Sequence, residues 1–391
     1  MKQYFIGGVF SLIILFWIFG TSSSIEVYTE ADEEKAAATE QIIDEKASSS
    51  VAIGEEVRKA SHVRPPEVLK AVYISSWVAG TPSVRERILT LIDETELNAI
   101  VIDVKDNTGV ITWEERMKEE DLVKLIEDLH AKNVYVIGRI AVFQDPAYAL
   151  AHKDQAVKRQ DGTLWKSRKG EYWVDTGSKQ KWEHTLRLSE EAYAFGFDEI
   201  NLDYIRFSTE GTNDNLVFPQ SGARAINDRV GVVSEFYEYI TGELRKRGIP
   251  VSGDVFGIIT TSSTDIPVLG QDLHNALQYF DYVAPMVYPS HYAPGTFGFS
   301  NPAANPGAVI KEAMLGAVRI ADEVASSTGQ ATSTVRAKLR PWYQDFDMGA
   351  IYTAEMVRAQ IDAGEKLGIR SWMLWDPANK YTRGALKTEV R

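Results

Sequence analysis

One segment of the chain, residues 196–207, combines the alternation of a buried strand with a carboxylate near its C-terminal end. In an extended strand, Ile200 and Leu202 point to one face, whereas Asn201 and Asp203 point to the other. Burying a charged carboxylate is costly unless the group is paired. The segment therefore predicts a strand whose polar face serves either a hydrogen-bonded core or a chemical reaction.

Polar side chains also follow other strand-like segments, at the point where the apolar pattern ends. Asp103 and Asp254 alternate with apolar neighbours in the same way as Asp203. Because parallel strands of a closed barrel present their C-terminal ends at one face, we expect these side chains to meet in a single mouth. The residues that we predict to bind substrate there are Asp103, Lys105, Arg139, Trp173, Asp175, Arg206, Tyr288, His291, Trp342, Gln344, Trp375 and Asp376.

Two other interpretations of this polar cluster remain open. The acidic and basic members could form an internal ion-pair network that serves stability alone. Lys105 could form a Schiff base with a carbonyl substrate, although no other residue pattern indicates such a substrate.

Two of the acidic residues suit glycoside cleavage, which needs one carboxyl group to protonate the leaving oxygen and another to act as nucleophile or base. We predict that Asp203 is the nucleophile or charge stabiliser and that Asp254 is the acid/base. Burial against Phe256 and a nearby carboxylate would raise the pKa of Asp254. The sequence leaves retention and inversion open, because the choice depends on the carboxyl separation. The reserve candidates are Asp103, Asp175 and Asp376.

Tryptophan residues are concentrated at strand ends and in the loops that follow strands, outside the apolar helix stripes. Aromatic rings offer large contact areas against which the C–H faces of sugars stack. Each of these residues alone is more often part of a core, but as a group they predict a carbohydrate cleft. The group comprises Trp77, Trp113, Trp165, Trp173, Trp342 and Trp375.

Strands and amphipathic helices alternate after Pro66, which requires parallel strand pairing. We predict strands at residues 71–77, 99–105, 134–140, 199–207, 251–256, 282–288, 339–344 and 369–375. About eight such units close into a (β/α)8 TIM barrel of the α/β class. An open doubly wound sheet is the alternative, but the segment after the first strand lacks a dinucleotide-binding glycine pattern.

The formal net charge of -13 argues against a nucleic-acid partner, because phosphate binding needs clustered Lys and Arg. The chain contains no cysteine, which excludes disulfides, thiolate metal sites and a cysteine nucleophile. None of the six histidines belongs to a paired helical metal motif. We therefore predict neither a metal nor another cofactor.

The N-terminal region has two parts that differ from the rest of the chain. Residues 1–23 include an apolar run over 4–20, which predicts a membrane anchor or a signal peptide. Residues 24–66 are acidic and poor in apolar side chains, which predicts a flexible linker. We expect the barrel, residues 67–391, to lie outside the cytoplasm, attached to the membrane through its N-terminal segment or secreted after cleavage.

Several short motifs resemble those of one known family, over essentially all of the chain after Pro66. They are Val101-Ile-Asp-Val-Lys-Asp106, Gly162-Thr-Leu-Trp165, Tyr172-Trp-Val-Asp175, residues 196–207, Asp254-Val-Phe-Gly257, residues 284–292 and Arg340-Pro-Trp342. The family is a domain of unknown function described as a putative glycoside hydrolase. The resemblance implies a TIM barrel with glycosidase activity, often in exported or envelope-anchored bacterial proteins.

A looser resemblance connects the fourth strand to chitinases, whose Asp-x-Asp-x-Glu signature ends in the acid. Here the corresponding residues are Asn201, Asp203 and Ile205, so the acidic Glu is absent. This difference directs attention to Asp254 on the next strand, a placement that resembles the amylase clan. Ser208 also stands where the family resemblance implies a proline, which affects the expected loop shape.

Our prediction from the sequence is a glycoside hydrolase that acts on an extracytoplasmic or cell-envelope polysaccharide or oligosaccharide. A catalytically silent barrel that only binds glycan is an alternative of a different class. A metal-dependent polysaccharide deacetylase is a third reading, which the histidine pattern favours least.

Overall fold

The computed structural model describes residues 60–209 and 215–389, and a closed barrel of eight parallel strands forms its centre. Each strand pairs with the next in chain order, and the last pairs with the first. The strands are β1 Lys70–Ile74, β2 Ala99–Lys105, β3 Tyr135–Ala141, β4 Glu199–Asp203, β5 Val251–Phe256, β6 Tyr282–Met286, β7 Trp342–Gln344 and β8 Trp372–Trp375. This architecture confirms the predicted α/β barrel.

Amphipathic helices connect the strands and cover the outside of the barrel. The main helices are α1 Pro82–Glu94, α2 Glu119–His130, α3 Lys179–Phe195, α4 Arg229–Lys246, α5 Leu273–Tyr279, α6 Pro306–Thr328 and α7 Ala354–Lys366. Shorter helices span Ser76–Gly80, Pro146–Ala151, Arg224–Asn227, Ile266–Leu269 and Thr332–Arg336, and Lys158–Arg159 pairs with Leu216–Val217 in a small antiparallel sheet. The remaining helical turns are Thr112–Arg116, Gly257–Thr260, Pro289–His291, Thr296–Gly298, Pro302–Ala304 and Arg383–Ala385.

Five of the predicted strands are shorter in the structure, and for two of them the early end has a clear local cause. The first strand ends at Ile74 because Ser75 caps the helix Ser76–Gly80, its Oγ accepting a hydrogen bond from the Val78 amide at 3.3 Å. The fourth strand ends at Asp203 because Tyr204 has a φ of 54°, in the left-handed region. The chain therefore turns immediately after the Asp203 carboxylate.

The side chains of β4 alternate between the two faces of the barrel wall, as predicted. Ile200 and Leu202 are buried in the layer between barrel and helices, whereas Asn201 and Asp203 belong to the interior face. Four helices are followed within three residues by a residue of positive φ, a common way to end a helix: Asn133, Gly196, Gly248 and Gly368.

The N-terminal end of the barrel is closed by a buried polar group. Arg340 Nη1 contacts Glu199 Oε2 at 2.8 Å, and the Tyr135 hydroxyl donates to the same oxygen at 3.1 Å. The Arg340 guanidinium lies 3.0 Å from the centre of the Tyr282 ring. This group therefore packs the interior at the N-terminal ends of the strands.

The predicted anchor, residues 1–23, and residues 24–59 of the predicted linker lie outside the described residues. Close to the linker's predicted end, His62 stacks on Tyr193 with ring centres 3.9 Å apart. The Val63 amide donates to Asp198 Oδ1 at 2.7 Å, so the chain contacts the barrel before Pro66. No helix within residues 60–209 and 215–389 is long and apolar enough to cross a membrane.

Candidate active site

Strands β4 and β5 place Asp203 and Asp254 side by side in the barrel mouth. Leu202 is the register partner of Gly253, so the two acids occupy the next position on neighbouring parallel strands. Such strands are separated by about 4.8 Å, and both side chains point to the same face. Asp254 is only 1% exposed, whereas Asp203 keeps 7% of its surface in contact with solvent.

Asp203 belongs to an ion-paired chain that crosses three strands. Its Oδ2 accepts from Arg139 Nη2 at 2.6 Å and Nε at 3.2 Å, and its Oδ1 accepts from the Tyr204 amide at 2.6 Å. Arg139 Nη1 also donates to Asp103 Oδ1 at 2.6 Å. The Tyr73 hydroxyl donates to Asp103 Oδ2 at 2.5 Å. This network fixes the orientation of the Asp203 carboxylate.

Asp103 is buried at the far end of this chain. Burial raises the pKa of Asp103 to about 6, although Arg139 and the hydrogen bond from Tyr73 oppose the rise. Asp103 therefore supports Arg139 and, through it, Asp203. The sequence left open an internal ion-pair network that serves stability alone. Part of such a network is present, and it includes Asp203, one of the two predicted catalytic residues.

Asp254 has a different environment, with two neutral donors on one oxygen. Asn201 Nδ2 and Trp342 Nε1 each donate to Asp254 Oδ1 at 2.9 Å. Burial, followed by the negative charge of Asp203, raises the pKa of Asp254 to about 8. At pH 7 the carboxyl group is mostly protonated, and because both donors use Oδ1, the proton belongs on Oδ2. The direction of this pKa change is the one expected from the sequence.

Aromatic rings line the side of the mouth formed by the ends of β6, β7 and β8. Tyr288 stacks on Trp375 at 5.5 Å with an interplanar angle of 27°. Phe346 meets both rings edge-on, at 5.9 Å and 5.4 Å, and Tyr73 lies 6.3 Å from Trp375. His291 lies 5.3 Å from Tyr288. We call these five residues the aromatic wall.

The aromatic wall contains one histidine, His291, and Gln344 supports it. Burial, with a smaller contribution from Lys169, lowers the pKa of His291 to about 4, so its imidazole is neutral at pH 7. The Gln344 side chain is fully buried. Its Oε1 accepts from the Ser290 amide at 3.1 Å, and its Nε2 donates to the Phe346 carbonyl at 2.9 Å. Gln344 thus holds two loops of the wall together.

Two tryptophans predicted to bind substrate are almost fully buried instead of presenting open faces. Trp342 is 2% exposed and reaches the mouth only through its hydrogen bond to Asp254. Trp173 is 1% exposed, and the Arg206 guanidinium lies 4.9 Å from its ring and 4.4 Å from the ring of Phe256. Arg206 is therefore held between two aromatic side chains next to β5.

Lys105 is buried and forms an ion pair with Asp145. Asp145 also contacts Lys181, and these two lysines lower the pKa of Asp145 although burial opposes the change. The pairing of β2 with β3 is irregular here, because its register shifts between Asp103 and Lys105. The structure thus joins Lys105 to the loop that follows β3, and does not bring it to Asp203 and Asp254.

Asp175 and Asp376 organise loops above the barrel. Asp175 accepts from the amides of Gly177 at 3.0 Å, Gln220 at 2.6 Å and Ser221 at 2.9 Å, which joins the loops after β3 and β4. Asp376 accepts from the amides of Ala378 and Lys380 at 2.7 Å and 3.2 Å. Burial raises the pKa of Asp376.

Four residues of this region have no role in the predictions made from the sequence: Tyr73, Asn201, Phe346 and Asp345. Strand parity was a usable signal for Tyr73 and Asn201, which lie on the same interior faces as predicted site residues. Asp345 accepts from the Thr382 amide and hydroxyl at 2.8 Å and 2.6 Å, a contact that no local pattern shows. Burial raises the pKa of Asp345 to about 7. Across the described ranges, no group of three His, Cys, Asp or Glu side chains is placed to hold a metal ion.

A family profile described as "putative glycosyl hydrolase domain", domain of unknown function 4015, matches residues 71–381. Apart from Lys70, the match covers all eight barrel strands, and it includes Asp203 and Asp254, the two residues predicted to be catalytic. The chain belongs to this family. The resemblance seen in the sequence is therefore confirmed, and no curated protein matches the chain.

Solved structures share the barrel at low sequence identity. The PgaB (BpsB) glycoside hydrolase domain from Bordetella bronchiseptica is 12% identical, with a TM-score of 0.55 over 80% of this chain and 95% of that one. The C-terminal domain of a "putative chitinase" from Desulfitobacterium hafniense is also 12% identical, with a TM-score of 0.50 over 81% and 94%. A hypothetical protein from Ruminiclostridium thermocellum is 28% identical, and the match covers 47% of this chain and 97% of that one with a TM-score of 0.40. The two likenesses at 12% identity show the fold alone.

The raised pKa of Asp254 predicts a specific dependence of stability on pH. The folded protein keeps this proton up to about pH 8, whereas an unfolded Asp loses it near pH 4, so folding loses stability between these values. Asp254→Asn keeps a neutral side chain and removes this pH-dependent loss of stability. We expect the variant's free energy of unfolding to exceed that of the wild type by an amount that grows from pH 4 to 8, on the order of a few kcal/mol. Denaturant unfolding at several pH values measures it, and a constant difference would contradict the assignment.

Proposed function

We propose that this barrel hydrolyses glycosidic bonds in an extracytoplasmic or cell-envelope polysaccharide. The observation that carries the proposal is the pairing of two unlike carboxyl groups on neighbouring strands. Asp203 is ion-paired with Arg139, whereas Asp254 is buried with a pKa of about 8. Glycosidases need this division between a carboxylate and a protonated acid. Membership of the putative glycosyl hydrolase family supports the same reaction class.

In the proposed reaction, Asp254 Oδ2 donates its proton to the glycosidic oxygen as the bond from that oxygen to the anomeric carbon breaks. Asp203 faces the developing positive charge, either as nucleophile or as electrostatic stabiliser. Arg139 holds Asp203 Oδ2 through two N–H groups, so one carboxylate geometry is maintained. Water supplies the hydroxyl group of the new reducing end, and Asp254 recovers its proton.

The aromatic wall supports carbohydrate as the substrate class. Tyr288, Trp375 and Phe346 lie next to the mouth, where a sugar ring could stack while its hydroxyls reach the acidic floor. Burial, followed by the negative charges of Asp254 and Asp203, raises the pKa of the Tyr288 hydroxyl, as expected where the wall adjoins the two acids. Two structures that share the fold are described as a glycoside hydrolase domain and a putative chitinase, which is consistent with a polysaccharide substrate.

We also propose that the barrel acts outside the cytoplasm, tethered through residues 1–23. The apolar run over 4–20 and the acidic composition of 24–59 support this location. Fractionation of cells that express the full chain tests it. We expect the protein in the membrane fraction, with the barrel accessible to protease added outside the cells, or released into the medium if the segment is cleaved. Recovery of the full-length protein from the cytosol would contradict this location.

Substitution of the two acids tests the catalytic assignment. We expect Asp203→Asn and Asp254→Asn each to lower the release of reducing ends from bacterial envelope glycans by about a hundredfold or more. The matched control is Asp281→Asn, because Asp281 accepts from the Val251 amide at the opposite end of β5. This control should retain activity within about twofold of the wild type, since it lies far from the reacting atoms.

The pH dependence gives a second readout of the same assignment. The wild-type rate should fall as pH rises through about 8, because Asp254 then loses the proton that it must donate. Three outcomes would contradict the proposal: full activity of Asp254→Asn, glycan binding without cleavage by the wild type, or release of acetate, in place of reducing ends, that chelators abolish and added metal restores. The second outcome indicates a glycan-binding barrel, and the third a metal-dependent deacetylase.

A further inference from the structure

We propose that Asn201 is a positioning residue that fixes the orientation of the Asp254 carboxyl group through a hydrogen bond to Oδ1. The inference rests on the proposed function, since it assigns Asn201 a part in the same reaction. Asn201 lies on β4 two positions before Asp203 and points to the same interior face. Its side chain is fully buried below the mouth, so it acts on the reaction only through Asp254.

Both N–H groups of the Asn201 amide are used on β5. Nδ2 donates to Asp254 Oδ1 at 2.9 Å and to Ser252 Oγ at 3.1 Å. Ser252 and Asp254 are alternate residues of that strand and point to the same side. The contact with Ser252 therefore sets the rotation of the amide so that its second N–H group faces the acid.

A second donor reaches the same carboxyl oxygen from β7. Trp342 Nε1 donates to Asp254 Oδ1 at 2.9 Å, so Oδ1 is held from two strands. A carboxylic acid whose one oxygen accepts two hydrogen bonds carries its proton on the other oxygen. Asn201 and Trp342 thus select Oδ2 as the atom that donates to the glycosidic oxygen.

The other end of the Asn201 amide shows that stability alone does not explain this residue. Asn201 Oδ1 is buried and has no hydrogen-bond partner among the described residues. A buried acceptor without a donor is costly, and an apolar side chain of similar volume would avoid that cost. A residue that breaks a local rule of polar pairing is expected where function requires it. The donated hydrogen bond to Asp254 is the function that the geometry points to.

The amide also affects how strongly Asp254 holds its proton. A hydrogen bond donated to the carboxyl group favours the ionised form, so Asn201 lowers the pKa of Asp254, against burial and the charge of Asp203, which raise it. Without this donor, the acid should remain protonated to higher pH. A residue that served only packing would leave the titration of Asp254 unchanged.

Asn201→Leu tests the proposal, because leucine keeps the volume and removes the donor. We expect kcat to fall about tenfold with KM within about twofold, since the acid loses its orientation but the aromatic wall is unchanged. The alkaline limb of the pH–rate profile should move upward by about one pH unit. If the leucine variant does not fold, Asn201→Ala removes the same donor with less steric demand.

The matched control is Asn98→Leu. Asn98 Nδ2 donates to the Val68 carbonyl, and Oδ1 accepts from the Lys70 amide, at the opposite end of the barrel. This substitution should lower thermal stability and leave the alkaline limb in place. The proposal would be overturned if the alkaline limb of Asn201→Leu coincided with that of the wild type while the variant lost as much thermal stability as Asn98→Leu.

A readout that does not require turnover separates this inference from the proposed function. Carbon-13 NMR of protein labelled at the Asp carboxyl carbons, with Asp254 assigned by comparison with Asp254→Asn, gives the pKa of Asp254 directly. We expect it to rise in Asn201→Leu relative to the wild type, even if no glycan is cleaved. An unchanged value would overturn the role of Asn201, whereas a raised value in a protein without glycosidase activity would overturn only the proposed function.

Discussion

The repulsion between two carboxyl groups that share one buried mouth is the constraint on which the site depends. Asp203 and Asp254 are next in register on neighbouring strands, and among the described residues only Asp203 is ion-paired with a cation. Arg139 neutralises Asp203, so ionising Asp254 as well would bury a second negative charge with no cation of its own. The proton therefore stays on Asp254, and the pair has the unequal ionisation that acid-assisted glycoside cleavage requires.

The barrel provides this environment through layers of interior side chains. The lowest layer is the closed polar group of Glu199, Arg340 and Tyr135. Above it lie Asn201 and Trp342, which direct their donors upward to Asp254. The upper layer contains the ion-paired acids and the aromatic wall, and it is the layer that retains contact with solvent. The Asn201 oxygen, which has no hydrogen-bond partner among the described residues, and the raised pKa of Asp254 both reduce stability, which is common where a fold maintains a reactive group.

Much of this arrangement could be predicted from the sequence, because period and parity are local properties. Alternation along β4 and β5 placed Asp203 and Asp254 inside the barrel. The placement of Lys105 could not be predicted, since a register shift in β2 and an ion pair with Asp145, remote in sequence, determine it. Asp175 depends likewise on amides from a distant loop. Contacts between remote segments carry no signal in one sequence.

The most direct test of the account is the pKa of Asp254 measured by carboxyl carbon NMR in the wild type and in Asp203→Asn. If burial and the neighbouring charge act together, Asp254 should titrate near pH 8 in the wild type and at a lower pH once position 203 is neutral. Titration of wild-type Asp254 near pH 4, or a value that does not respond to the loss of the Asp203 charge, would contradict the shared-mouth arrangement.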